Sequence, residues 1–197
     1  MNELNCDEQD THDMARLVNG HEAAFNDLMA RHAEKLFHYL LRSLQDENDA
    51  SDLAQETFAR VYQGRGKYDP KQRFSTWLYA IASNLVRDRY RWRSRHPQVS
   101  LDAESEQTGA SFKEKLEAAD PAPDTTLQTE ERAEAVRKAV AALPEELRQP
   151  LILAIYHELP QAEIATILKC TTKAVETRIY RARQQLRASL VGILQAV

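Results

Sequence analysis

The stretch QAEIATILKCTTKAVETRIYRARQQLR, residues 161–187, decides the fold class of this chain. At about 100° per residue, Ile164, Ala165 and Leu168 fall on one side of a first helix and Val175, Ile179 and Leu186 on one side of a second. Residues 169–172 between them supply a turn, which gives the layout of a helix-turn-helix. A plain helical hairpin would explain the apolar spacing, but it would not require the cationic outer face. On that face lie Lys173, Glu176, Thr177, Tyr180, Arg181 and Arg183, side chains able to reach base edges and phosphates in a major groove. Cys170, within the turn and with no second ligand near it in sequence, reads as a small apolar residue.

The rest of the chain is helical by the same reasoning, because five glycines among 197 residues leave few turn formers beside abundant Ala, Leu, Glu, Gln and Arg. Ahead of the hairpin, the pattern predicts helices over 127–142 and 145–158, with Pro144 and Pro160 at helix starts and Pro150 placed to kink or delay its helix. Further back, the composition turns to Pro, Ser, Asp, Glu, Gly and Thr, so residues 96–126 read as a flexible acidic linker. Phe112, Leu116 and Ala119 allow a short helix inside it over 112–119. Four more helices, over 11–18, 22–44, 48–63 and 74–93, complete an N-terminal bundle. Asn19 and Gly20 close the first, and Phe25, Leu28, Leu36, Leu40 and Leu44 stripe the second. The expected architecture is all-α, with small helical domains over 1–95 and 127–197.

The net charge of −4 averages unlike regions. Arginines crowd residues 87–95 and 178–187, whereas 7–13, 46–52 and 102–124 are acidic, so local patches can hold phosphate although the whole chain is acidic. Cys6 and Cys170 show neither zinc-site spacing nor a disulfide framework, which suits a reducing cytoplasm. No apolar run approaches the roughly 20 residues of a membrane span, and no export signal opens the chain. The six histidines are scattered, and no phosphate loop, nucleophile elbow or catalytic cysteine setting is present. A binding protein without metal, cofactor or catalytic residues is therefore expected.

Two N-terminal helices carry the remaining chemistry. In DASDLAQETFARVY, residues 49–62, the apolar Ala50, Leu53, Ala54, Phe58 and Val61 separate from Asp49, Asp52 and Glu56. That acidic side is either a solvated face or a docking surface for a basic partner. In FSTWLYAIASNLVRDRYRWR, residues 74–93, Trp77, Leu78, Ile81, Ala82 and Leu85 form the apolar stripe. Opposite it, Ala80, Ser83, Asn84, Arg87 and Arg91 make a small-residue patch leading to an amide and two guanidinium groups, a surface on which a nucleic-acid strand can lie. Tyr79, Tyr90 and Trp92 are aromatics that could stack on an unpaired base.

Taken in order, DLAQETFARVY, FSTWLYAIASNLVRDR, ALPEELRQPLIL and QAEIATILKCTTKAVETRIYRARQQLR resemble the extracytoplasmic-function group of bacterial RNA polymerase sigma factors. The resemblance covers almost everything outside the extreme N-terminus and the linker. It implies a promoter domain docked on core polymerase through Asp49, Asp52, Gln55 and Glu56, and a −10 element opened around Asn84 with Arg60, Tyr68, Tyr79, Arg87 and Arg91 as neighbours. It also implies that Lys173, Glu176, Thr177, Arg178, Tyr180 and Arg181 read the −35 element, and that an anti-sigma protein restrains the chain. The chain departs from the family pattern at Lys169, where many relatives have glycine, at Lys173 and Ala174 in place of Gly-Thr, and at Glu176, a carboxylate that favours cytosine N4.

Opening about ten base pairs costs on the order of 14 kcal/mol at roughly 1.4 kcal/mol per stacking step, and capturing a base or two at roughly 1–3 kcal/mol each offsets only part of it. A sigma-like chain thus depends on polymerase for the remainder. The competing readings are a stand-alone helix-turn-helix regulator, which would bind an operator tightly by itself, and a metal-dependent hydrolase built on the carboxylates of residues 49–56.

Overall fold

The computed structural model describes residues 6–96 and 123–194, and all regular structure in them is helical. The N-terminal bundle comprises α1 (Cys6–Val18), α2 (Ala23–Leu44), α3 (Glu47–Gly64), a 3-10 turn (Arg65–Lys67) and α4 (Phe74–Arg95). The C-terminal unit comprises α5 (Pro123–Ala141), α6 (Glu145–Ile155), α7 (Gln161–Leu168) and α8 (Thr172–Leu194).

Local chemistry explains the helix ends. Gly20, at a φ of +89°, turns the chain out of α1 as its N–H bonds the Leu17 carbonyl at 3.1 Å. Asp46 caps α3 by accepting from the Asp49 N–H at 2.8 Å. The first helix starts at Cys6, five residues before the expected 11, because Asp7 and Glu8 in its first turn complement the helix dipole. Pro123 opens α5, so residues 123–126, expected in the linker, are helical; proline at a first position sacrifices no hydrogen bond. The remainder of the linker and the helix expected over 112–119 lie outside the described residues. Pro150 neither delays nor ends α6, which runs through it and stops at Ile155 rather than 158.

Apolar stripes meet as the periodicity requires. Leu28, Leu36, Leu40 and Leu44 of α2 are buried against Leu53, Phe58 and Val61 of α3 and Leu78, Ala82 and Leu85 of α4. Phe25 packs edge-on to Phe58, with ring centroids 6.1 Å apart. In the C-terminal unit Ile152, Leu153, Ile164, Ile167, Val175 and Ile179 form the core.

The turn between α7 and α8 is closed by Lys169 in left-handed geometry, φ +53°, with its N–H on Thr166 O and the Cys170 N–H on Ala165 O. Glycine adopts this conformation without the Cβ penalty. Lys169→Gly is therefore expected to stabilise the chain by about 0.5–1 kcal/mol, seen as a rise of a few degrees in melting temperature. A fall would show that the lysine side chain holds the turn.

The two units are not independent: α4 packs on α7 and α6, and α2 on α6. Consequently α4 buries two faces. On the side expected to receive nucleic acid, Thr76 and Tyr79 meet Glu163 and His157 of the C-terminal unit, and Ser83 is buried beside Tyr39 of α2.

Candidate nucleic-acid interface

On α3, Asp52, Gln55 and Glu56 form an exposed polar strip, with Glu56 paired to Arg60 at 2.7 Å. Asp49 does not belong to that open strip. It is largely covered and pairs with Arg89 at 3.0 Å and with Arg93, fastening α3 to α4. That double pairing also removes one carboxylate from the metal-binding reading of residues 49–56.

Along α4, Asn84 is half-buried and its Oδ1 accepts a long 3.4 Å bond from Arg87. Arg91 is exposed, 3.8 Å from Asp88. Tyr68, in the loop ahead of α4, donates to the Gln72 carbonyl at 2.7 Å and packs its ring on Trp77 at 5.4 Å, which fixes the loop's path. Asn84, Arg87 and Arg91 follow one another at spacings of three and four residues along α4, while Arg60 lies on α3.

The three aromatics separate by environment. Tyr79 is 4% exposed and hydrogen-bonded to His157 Nδ1 at 2.8 Å, so in this conformation it meets the C-terminal unit instead of DNA. Burial raises its phenol pKa, which keeps it protonated as the donor. Burial, reinforced by Arg42, Lys35 and His38, pushes His157 down to about 4, so the ring is neutral and can accept. Tyr90 donates to the Ser43 carbonyl and accepts from Arg148 at 2.6 Å. Only Trp92 stays open among the three, 43% exposed and stacked on His96 at 4.9 Å between centroids.

The outer face of α8 presents most of the side chains expected on it, with Thr177 more covered than its spacing suggests. Lys173, Glu176 and Arg181 are exposed, Tyr180 is 61% exposed, and Thr177 and Arg178 are half-buried. Lys173 and Glu176 pair at 2.9 Å, and the Tyr180 hydroxyl accepts from Gln184 at 2.8 Å. Gln161, Lys173, Glu176, Thr177, Tyr180 and Arg183 line a shallow groove between α7 and α8.

Sequence reasoning missed two groups. The first is a buried ion network in which Asp10, 1% exposed, accepts from Arg31 at 2.9 Å and faces His32 Nε2 at 2.7 Å, while Asp13 holds Arg31 at 2.7 Å. Cys6 approaches it, and the ligand atoms of Cys6, Asp10 and His32 lie within 4.8 Å of one another. Both Asp10 oxygens are already engaged, and the Arg31 guanidinium supplies the positive charge that a metal ion would bring. The second group, Tyr39, Arg148, His157 and Glu163, joins the two units. The spacing of Asp10 and Asp13 on one helix face was the available signal for the first; nothing in the periodicity marks the second.

No helix among the described residues is long and apolar enough to cross a membrane. The family described as Sigma-70 region 2 matches residues 28–96, and Sigma-70, region 4 matches 133–186. The chain is 34% identical to the ECF RNA polymerase sigma factor SigW of Bacillus subtilis, over 87% of this chain and 91% of that protein. It is 31% identical to the RNA polymerase sigma-H factor of Pseudomonas aeruginosa, over 95% and 97%. Among solved structures, CnrH in complex with the cytosolic domain of CnrY aligns with a TM-score of 0.67 at 26% identity, covering 94% of this chain and 99% of CnrH. The sigma factor RpoE of Bartonella quintana, in complex with the anti-sigma factor NepR, shares the fold at a TM-score of 0.65 and 20% identity, over 84% and 96%. Matches to both regions in order, together with full-length relatives at this identity, leave no room for a stand-alone regulator: the chain belongs to the extracytoplasmic-function sigma factors of bacterial RNA polymerase.

Proposed function

We propose that this sigma factor divides promoter recognition between its two units, residues 1–95 docking on core polymerase and opening the −10 element, and residues 127–197 reading the −35 element. A sigma factor directs transcription initiation by binding and catalyses nothing itself. The observation that carries the division is the placement of the cationic faces. Asn84, Arg87 and Arg91 line one surface of α4, and the exposed Lys173, Glu176, Tyr180 and Arg181 line α8 beyond a helix-turn-helix bend. The first surface suits an unpaired strand, with an amide for a base edge and guanidinium groups for phosphates. The second suits a major groove.

The polar strip of Asp52, Gln55 and Glu56 is the polymerase-docking surface in this reading, and its work is done in the cytoplasm. An inhibitory partner belongs to it too, since the Bartonella RpoE was solved with the anti-sigma factor NepR and CnrH with the cytosolic domain of CnrY.

The test is run-off transcription with core polymerase, with and without the chain, alongside Asn84→Ala. Asn84→Ala is expected to keep polymerase affinity while open-complex formation drops about tenfold, the loss of one captured base at roughly 1–3 kcal/mol. Equal open-complex yield from both proteins would remove Asn84 from the −10 site.

A further inference from the structure

Three side chains outside the promoter-reading surfaces converge beside the start of α1. Cys6 and Asp10 stand four residues apart, so they share one face of that helix, and His32 meets them from α2. Their ligand atoms, a thiol sulfur, a carboxylate oxygen and a ring nitrogen, all fall within 4.8 Å of one another. Thiolate, imidazole and carboxylate are the ligand types that zinc takes from proteins. Paired histidines on one helix, the usual sequence signal, are absent because this set is drawn from two helices, with Asp10 and His32 22 residues apart.

The network around Asp10 contains one bond that a cation can replace. Arg31 Nε donates to Asp10 Oδ1 at 2.9 Å and Arg31 Nη2 to Asp13 Oδ2 at 2.7 Å, so the guanidinium stays anchored without the second Asp10 oxygen. That oxygen, Oδ2, faces His32 Nε2 at 2.7 Å. Two ligand atoms each about 2.0–2.1 Å from a tetrahedral zinc ion stand roughly 3.3 Å apart, so this pair must part by only about half an ångström. Cys6 is the exposed member of the set and opens α1, where the chain can shift to bring its sulfur in. On the inner side the buried Phe74 ring lies 5.0 Å from the His32 ring and keeps that wall dry. The charges also match: the Cys6 thiolate and the Asp10 carboxylate balance a divalent ion, while Asp13 balances Arg31. The Arg31 bond to Oδ1 then serves as the outer hydrogen bond that orients a ligating carboxylate.

We propose that Cys6, Asp10 and His32 form an accessory zinc site that ties α1 to α2, with water from the exposed Cys6 side as the fourth ligand. Binding sends the Cys6 thiol proton to solvent and leaves His32 neutral, its hydrogen on Nδ1 and its Nε2 lone pair on the ion. One sulfur, one nitrogen and one oxygen select Zn2+ over Mg2+ and Ca2+, which take oxygen ligands. Asp7, next to Cys6, pairs with Arg73 at 3.0 Å, so the ion also steadies the end of α1 that holds the loop ahead of α4.

The site is tested by titrating the reduced, tag-free full chain with Co2+ as an optical probe and then with Zn2+. One equivalent of Co2+ is expected to raise a thiolate-to-cobalt charge-transfer band that Zn2+ abolishes. Saturating Zn2+ is expected to lift the melting temperature by roughly 5–10 °C, and Mg2+ to leave it unchanged. Cys6→Ser should erase the band and weaken Co2+ binding by at least about tenfold, whereas Cys170→Ser should keep both. His32→Gln should match Cys6→Ser. Circular dichroism identifies a variant that fails to fold, and Cys6→Ser, at an exposed position, then decides alone. A folded wild-type chain without the band, a band kept in Cys6→Ser or lost in Cys170→Ser, or a Zn2+ melting shift undiminished in Cys6→Ser would overturn the site.

Discussion

Replacing Asp10 with alanine is expected to lower the unfolding free energy by about 3–5 kcal/mol, the range for removing one partner of a buried ion pair. Asp10 is the shared acceptor of Arg31 and His32 at the contact between α1 and α2. Without it Arg31 keeps Asp13, at 2.7 Å, but His32 faces an empty buried position. The effect should exceed that of any exposed pair in the chain, such as Glu56 with Arg60, because surface pairs contribute roughly 0–1 kcal/mol. Urea unfolding followed by circular dichroism reads the difference. Asp10→Asn should lie between the two, since an amide oxygen still accepts from Arg31. A loss below about 1 kcal/mol for Asp10→Ala would mean that α1 undocks without disturbing the bundle, so the network adds little to cooperative stability.

The largest functional effect should come from reversing the exposed strip on α3. Asp52→Lys together with Glu56→Lys sets cations on the proposed docking strip, and like-charge juxtaposition across an interface costs several kcal/mol. At about 3 kcal/mol the affinity for core polymerase falls roughly a hundredfold. Both side chains are exposed, so the fold should survive with its melting temperature nearly unchanged. Fluorescence anisotropy of labelled protein titrated with core enzyme measures the affinity, and retention of wild-type binding would move the docking surface off α3. Asp49 is unsuited to this experiment, because its pairs with Arg89 and Arg93 tie α3 to α4 and their loss would blur docking with stability.

Much of this was legible in the residues alone. Helix α7 runs over 161–168 as expected, because Pro160 marks its start and the turn at Lys169 its end. The beginnings of α1 and α5 were hidden by polar first turns, where composition resembles a linker although acidic residues and proline favour a helix N-terminus. Periodicity found one buried side of α4 and gave the other to nucleic acid. Thr76 and Tyr79 look polar enough for a surface, and no local pattern reveals that a second unit covers them. For the same reason Asp49 resembled its exposed neighbours Asp52 and Glu56, since a distant arginine pair leaves no trace in helical spacing. Most of the outer face of α8 was readable because no other described helix packs over Lys173, Glu176, Tyr180 and Arg181.

The pairing of Asp49 with Arg89 and Arg93 also sorts the arginines of α4 into two rows. Arg89 and Arg93 are neutralised by α3, and Arg87, Arg91 and Arg95 remain at spacings of four residues along another side. With three guanidinium groups left to displace counterions from a single strand, the logarithm of its binding constant falls with the logarithm of salt at a slope of about −2. On the proposed reading, the hold on a melted strand is therefore less sensitive to ionic strength than a duplex contact made through more phosphates.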